Sequence, residues 1–324
     1  MKKLLSVVLV TVILLVNLVG CKDDNSISAT RIMMDTAVTI TLYDGDSAIL
    51  AECFAICESY DQLFSRTNPD SDVSRINNSD GRRIEVSNET TFLLGLANQY
   101  SEMTDGIFDV TIEPLSTLWD FKNAKVPENR EIADALLKVD YRNLIVEQDF
   151  VTALNGAKVD LGAVAKGYIA NALKDYLEQS GVKKAIINLG GNVVLIGQDE
   201  FNVGLTNPKK TNKQIAKIRV ADKAIVTSGN YERCFTSDGK LYHHLINANT
   251  GLPENNGVAS MSIISDDSTY ADLLSTVCFL LGKDEGMKFA REQSCEAICI
   301  TDDGKIFLTD GLEKKGSTIK FKEK

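Results

Sequence analysis

Hydrophobic positions change rhythm several times along the chain. Lys2 and Lys3 precede an almost wholly apolar run, Leu4 to Leu18. That run is shorter than the roughly 20 residues a membrane helix needs and fits the h-region of a secretory leader. It closes on Leu18-Val19-Gly20-Cys21, a lipobox-like ending. The expected organisation is therefore a leader over 1–20, a lipid-bearing Cys21 and tether over 21–28, and a catalytic domain over 29–324. Ile32, Met34, Thr36, Val38, Ile40 and Leu42 alternate with other residues, which predicts one strand. Ile49, Cys53, Cys57, Tyr60 and Phe64 follow at helical spacing. A second helix is predicted after Ser87, a suitable N-cap, carrying Phe92, Leu93, Leu96, Tyr100 and Met103 and stopping near Gly106. A third spans Ala163 to Gly181. Short apolar runs then replace long ones: Ala185–Asn188, Val193–Ile196, Ala224–Thr227, Leu245–Asn247 and Met261–Ile264, separated by Gly, Asn and Asp. Helical spacing returns over Ser268–Leu281. This mixture predicts an α+β fold rather than a regular βαβ alternation.

Charge and cysteine content narrow the classes. The 324 residues carry a net charge of −10, which loss of the leader's two lysines would make more negative. Such a surface disfavours nucleic-acid binding, which depends on cationic side chains neutralising phosphates. Cys53 and Cys57, like Cys295 and Cys299, are four apart rather than in the closer spacing typical of zinc sites. They read as small buried hydrophobes. Disulfides remain open, with no pairing assignable.

Five segments join glycine to reactive polar groups: Gly106–Thr111 with Pro114–Phe121, Val159–Tyr168, Asn188–Asn192, Thr227–Arg233 leading to Tyr242–Pro253, and Ala271–Thr276. Glycine-flanked backbone amides and helix N-termini suit a phosphate ester. Lys166 lies one turn into the helix that Gly162 and Ala163 would open. Asp272 and Thr276 are four apart on a predicted helix, so their oxygens share a face, as a hard cation requires. Each segment alone has a plainer reading: a Gly190-Gly191 turn, a solvent-facing helix pair, a hydrogen-bonded structural histidine, or core aromatics at Trp119 and Phe121.

Together, and in this order, the segments resemble the ApbE family, FAD:protein FMN transferases. The resemblance runs from about Met34 to Gly282. The stretch Asp160-Leu161-Gly162-Ala163-Val164-Ala165-Lys166-Gly167-Tyr168, the run Thr227-Ser228-Gly229-Asn230-Tyr231-Glu232-Arg233 and the run Ala271-Asp272-Leu273-Leu274-Ser275-Thr276 match its motifs. The resemblance implies an α+β architecture with helices packed on β-sheets and an FAD cleft between the two halves. It implies Mg²⁺ held by Asp272, Thr276 and the Ala163 carbonyl. It implies FAD contacts at Met34, Thr67, Ile107, Phe108, Asp109, Asp160, Lys166, His244 and Ile246. Two positions depart from the family pattern. Asp35 replaces a glycine in Met-Gly-Thr, and Asn247-Ala248 replaces Asp-Pro.

The activity so implied is Mg²⁺-dependent transfer of FMN from FAD to a Thr or Ser hydroxyl of an acceptor protein, releasing AMP. His244 is the candidate proton acceptor, because imidazole titrates near neutrality. The expected acceptor is a subunit of a membrane redox complex. The expected location is the bacterial cell envelope, on the periplasmic or outer side, held by lipid on Cys21. Two alternatives stay open: an Mg²⁺-dependent FAD pyrophosphatase, and a flavin-binding lipoprotein without turnover.

Overall fold

The structure, a computed structural model, describes residues 26–323. The predicted leader, Cys21 and the first part of the tether lie outside the described residues. Among the described residues no helix is long and apolar enough to cross a membrane.

An eight-stranded sheet forms the centre. Its order is Ile27–Met33, Thr36–Leu42, Ala185–Leu189, Asn192–Ile196, Ala224–Gly229, Val258–Ser265, Glu296–Thr301 and Ile306–Leu308. Every neighbouring pair is antiparallel. Successive side chains on a strand face opposite sides, and here both sides are covered. Val38, Ile40, Leu42, Ile187, Val194, Val226, Met261 and Ile263 join one apolar cluster with the helices. Ile186, Val193, Leu195, Ile225, Ile264 and Ile298 join another. Its opposing wall is a four-stranded sheet built from Phe201–Asn207, Lys210–Val220, Leu312–Lys315 and Thr318–Phe321. This explains why the central strands read as continuous apolar runs rather than as alternation.

Two expectations change. The alternation from Ile32 to Leu42 is not one strand but a hairpin, with Met33 opposite Thr36 and Met34-Asp35 as the turn. Both turn residues have positive φ, 50° and 56°, as a two-residue type I′ turn requires. A two-residue turn preserves the parity of the alternation, so periodicity alone could not reveal it. Phe92 and Met103, assigned to the apolar face of the second helix, are instead exposed. The buried stripe of Asn88–Met103 runs through Leu93, Leu94, Leu96, Ala97 and Tyr100. Ser87 does cap that helix, accepting from the Thr90 amide.

The Thr36–Leu42 strand pairs with Ala185–Leu189, so the N-terminal hairpin completes the C-terminal sheet. The helices Ala165–Gln179 and Ser268–Leu281 lie against each other on one face of this sheet. Their closest approach is at Gly167. A Cβ there would stand 2.3 Å from the Ser268 carbonyl oxygen and 2.7 Å from Asp272 Cβ. Backbone cannot yield as a flexible side chain can. Gly167→Ala is therefore expected to cost about 1–3 kcal/mol, the usual range for overpacking. Thermal unfolding checks this; an unchanged melting temperature would mean the helices separate freely.

Candidate active site

The glycine-rich segments meet in a ring of contacts. The hairpin turn abuts the Gly190-Gly191 turn: a Cβ on Gly190, whose φ is +62°, would fall 2.0 Å from Thr36 Oγ1. A Cβ on Gly191 would approach Glu232 Oε1 at 3.4 Å. The Arg233 carbonyl accepts from the His244 amide at 3.1 Å, and the Ile107 carbonyl from the Ala248 amide at 3.1 Å. The Val110 carbonyl accepts from the Asp160 amide at 3.0 Å. Gly167 N donates to Asp272 Oδ2 at 2.9 Å. Ser228 Oγ lies 2.8 Å from Ser275 Oγ and 3.1 Å from Thr276 Oγ1.

Asp272 is central to this ring. Only 4% of it is exposed. Its Oδ2 caps the helix Ala165–Gln179, whose own N-cap, Val164, offers no side-chain hydrogen bond. The N-terminal amides of that helix carry partial positive charge, which favours a carboxylate there. Its Oδ1 lies 3.5 Å from Lys166 Nζ. The same ammonium donates to the Gly162 carbonyl at 3.0 Å. Burial pushes the Asp272 carboxyl upward, opposed by Lys166 and by the Gly167 amide. Among the described residues no group of three or more His, Cys, Asp and Glu side chains could hold a metal. The donors here are one carboxylate, the Thr276 hydroxyl and loop carbonyls. That set suits a hard cation which takes further oxygens from phosphate and water.

The two histidines separate cleanly. His243 Nε2 donates to the Glu254 carbonyl at 2.9 Å, and its Nδ1 accepts from the Leu245 amide at 3.3 Å. It is a satisfied structural residue. His244 Nδ1 is buried and has no hydrogen-bond partner. Burial pushes the His244 imidazolium down to about 3, helped by Arg233, His243 and Lys166. The ring is therefore neutral at physiological pH, with an unoccupied acceptor.

Other residues fall where the sequence alone did not put them. Asp109 is 4% exposed, and its carboxylate accepts from the Thr111 amide and hydroxyl at 2.7 Å and from the Tyr141 amide at 2.8 Å. That carboxylate braces a loop. Phe108 and Ile246 are buried in apolar clusters, and Ile107 packs partly against one of them. Met34 stands in the strained hairpin turn. Thr67 is exposed, with its hydroxyl 3.2 Å from Ser65 Oγ. Its neighbour Arg66 makes the reaching contacts: 3.2 Å to Asp160 Oδ2 and 3.0 Å to Ser116 Oγ. Asp160 also accepts from Ser116 Oγ at 2.8 Å and from the Gly162 amide at 2.9 Å, so it fixes the loop leading to Lys166.

The departures from the family pattern resolve locally. Aspartate tolerates the left-handed conformation that Asp35 adopts. Asn247 Oδ1 accepts from the Asn249 amide at 3.0 Å, and its Nδ2 donates to Glu254 Oε2 at 2.7 Å. Asn247 thus serves as a turn residue.

Glu232 and Arg233 close the Thr227–Arg233 run, and the sequence alone gives neither a role. Protein crowding pushes the Glu232 carboxyl up to about 7, with Lys166 and Arg233 pulling it down and Asp272 pushing it up, although the side chain remains reachable by water. An ionised Glu232 repels an incoming diphosphate, and protonation below about 7 relieves that repulsion. The KM for a dinucleotide substrate should therefore rise several-fold from pH 6 to pH 8. Glu232→Gln should have a low, pH-independent KM; an unchanged pH dependence in this variant would place the titration elsewhere.

The fold and these contacts define an α+β protein in which a buried carboxylate, Asp272, and an ammonium, Lys166, meet among glycine turns. The ApbE family model matches residues 34–299, and the chain belongs to that family. A FAD:protein FMN transferase of Klebsiella pneumoniae is 33% identical over 295 residues, covering 89% of this chain and 93% of its own. Another, from Treponema pallidum, is 31% identical over 290 residues, covering 82% and 80%. The crystal structure of the ApbE protein of Thermotoga maritima superposes with a TM-score of 0.80 at 30% identity, covering 88% of this chain and 97% of its own. The flavin transferase ApbE of Vibrio cholerae gives 0.77 at 25% identity, covering 88% and 97%.

Proposed function

We propose that the protein is an FAD:protein FMN transferase, which moves FMN from FAD to a Thr or Ser hydroxyl of an acceptor protein and releases AMP. One observation carries the assignment of the centre: the Lys166 ammonium lies 3.5 Å from Asp272 Oδ1 and donates to the Gly162 carbonyl at 3.0 Å, so one cation joins a buried carboxylate to a glycine-flanked loop. Mg²⁺ would be held by Asp272, Thr276 and the Ala163 carbonyl, and when bound it supplies charge neutralisation to the diphosphate.

The chain's own residues do the rest. Lys166 orients the diphosphate. The acceptor oxygen forms a bond to the FMN phosphorus, and the bond from that phosphorus to the bridging oxygen breaks. AMP departs with the electron pair. The hydroxyl proton passes to the neutral His244 imidazole, whose basicity rises when the substrate's negative charge sits nearby.

The deciding experiment incubates the protein with FAD, Mg²⁺ and a candidate acceptor. Fluorescence that stays with the denatured acceptor, together with AMP, supports transfer. Free FMN with AMP means a pyrophosphatase, and no AMP means a binding protein.

The cellular setting belongs to the same proposal. A lipid on Cys21 would hold the enzyme at the bacterial envelope, facing a membrane redox complex whose subunit is the acceptor. Mass spectrometry of the mature N-terminus tests the anchor; an unmodified terminus elsewhere would refute it.

A further inference from the structure

Lys166 has two contacts that bear on how the centre is loaded. Its ammonium donates to the Gly162 carbonyl at 3.0 Å and lies 3.5 Å from Asp272 Oδ1. It thus bridges a loop carbonyl and a buried carboxylate, groups of the kind that would ligate a divalent ion. Asp272 Oδ2 is engaged by the Gly167 amide, so Oδ1 is the oxygen left for either cation. A divalent ion held by Oδ1 and an ammonium on the same oxygen would repel each other, because Asp272 is almost wholly buried. A buried carboxylate left with no counter-charge is also unfavourable, so one cation must replace the other.

We propose that Lys166 is an exchangeable cation: it competes with the divalent ion for Asp272, and the incoming diphosphate resolves the competition by drawing the ammonium onto itself. The inference rests on the metal site proposed above and adds its order of loading. Divalent ion and dinucleotide then promote each other's binding, since by linkage the coupling is reciprocal. A divalent ion without nucleotide must displace an ammonium whose other contact, the Gly162 carbonyl, is neutral. The stem of Lys166 is long and flexible enough to swing, as lysine side chains are.

The test reads binding. Mn²⁺ affinity is measured by electron paramagnetic resonance without nucleotide, for the wild type, Lys166→Met and Asp272→Ala. The proposal expects Lys166→Met to bind Mn²⁺ about tenfold or more tightly than the wild type, and Asp272→Ala to lose binding. Equal or weaker binding by Lys166→Met, with Asp272→Ala still losing it, would overturn the exchange and leave the metal site standing. Undiminished binding by Asp272→Ala would overturn the metal site itself, and the exchange with it.

A second measurement needs no variant. Reductive methylation of the wild type, read at Lys166 by mass spectrometry, should speed up on adding Mg²⁺ and slow down when ADP is added as well. A rate indifferent to Mg²⁺ would count against displacement. This second readout holds even if Lys166→Met folds poorly.

Discussion

Asp272→Ala is expected to lower transfer by roughly 10²–10³-fold or more, the scale on which removing a single preorganised electrostatic contact acts. Two effects would combine in that variant. The only carboxylate assigned to the cation disappears, and the Gly167 amide at the start of the Ala165–Gln179 helix loses its acceptor. An unpaired buried amide costs about 1–3 kcal/mol, so part of the loss could come from a loosened helix. Asp272→Asn separates the two. Its side-chain oxygen can still accept from Gly167, but it lacks the charge. We expect Asn to restore thermal stability and leave transfer low. Thr276→Val gives the complementary control, with nearly unchanged shape and no hydroxyl oxygen. Ser228 keeps Ser275 as a partner at 2.8 Å in that variant, so packing should hold while the Mg²⁺ requirement rises modestly, since water can replace a neutral ligand. Turnover against Mg²⁺ concentration is the measurement. Normal turnover with unchanged Mg²⁺ dependence in Asp272→Ala would remove the metal site from this place.

The sequence made some of this visible and hid the rest for identifiable reasons. Ser87, Gly181 and the Ser268–Leu281 helix were legible because capping residues and helical spacing are local signals. The Met34-Asp35 turn was hidden because a two-residue turn leaves the alternation in phase. The Phe201–Val220 hairpin and the sheet it builds were not resolved because that sheet packs on the second face of the central one. No local pattern announces which face a strand will find covered. Asp272, Lys166 and His244 stand out in the sequence by residue type and family pattern. Arg66 does not. Arg66 matters because it reaches Asp160 from a loop 94 positions earlier in the chain, a relation that only the folded chain creates. The Glu232 carboxyl is pushed up chiefly by burial, with Lys166 and Arg233 opposing and Asp272 adding to it, none of which is a local signal. At Asp109 the fold commits the carboxylate oxygens to Thr111 and, across 32 positions, to Tyr141, a pairing that leaves no local trace.

His244→Asn is expected to reduce kcat by about 10²–10⁴-fold, the usual contribution of a positioned proton acceptor. Asparagine keeps a polar atom near the place of Nδ1 but cannot take up a proton, so binding of FAD should change little. The pH profiles carry the stronger test. In the free enzyme the imidazolium is pushed down to about 3 by burial and by neighbouring positive charge. The basic form is therefore present throughout the working range, and kcat/KM, which reports the free enzyme, should show no acid limb from His244 above pH 5. This is best read in the Glu232→Gln variant, where the titration near 7 is absent. Bound diphosphate brings negative charge beside the ring, which favours imidazolium and raises its pKa. Turnover at saturating FAD should then fall as pH drops towards 5, because the acceptor is already protonated in the complex. An acid limb in kcat but not in kcat/KM, abolished by His244→Asn, is the expected signature. Wild-type kcat in His244→Asn, with the limb unchanged, would mean that the hydroxyl proton leaves by another route.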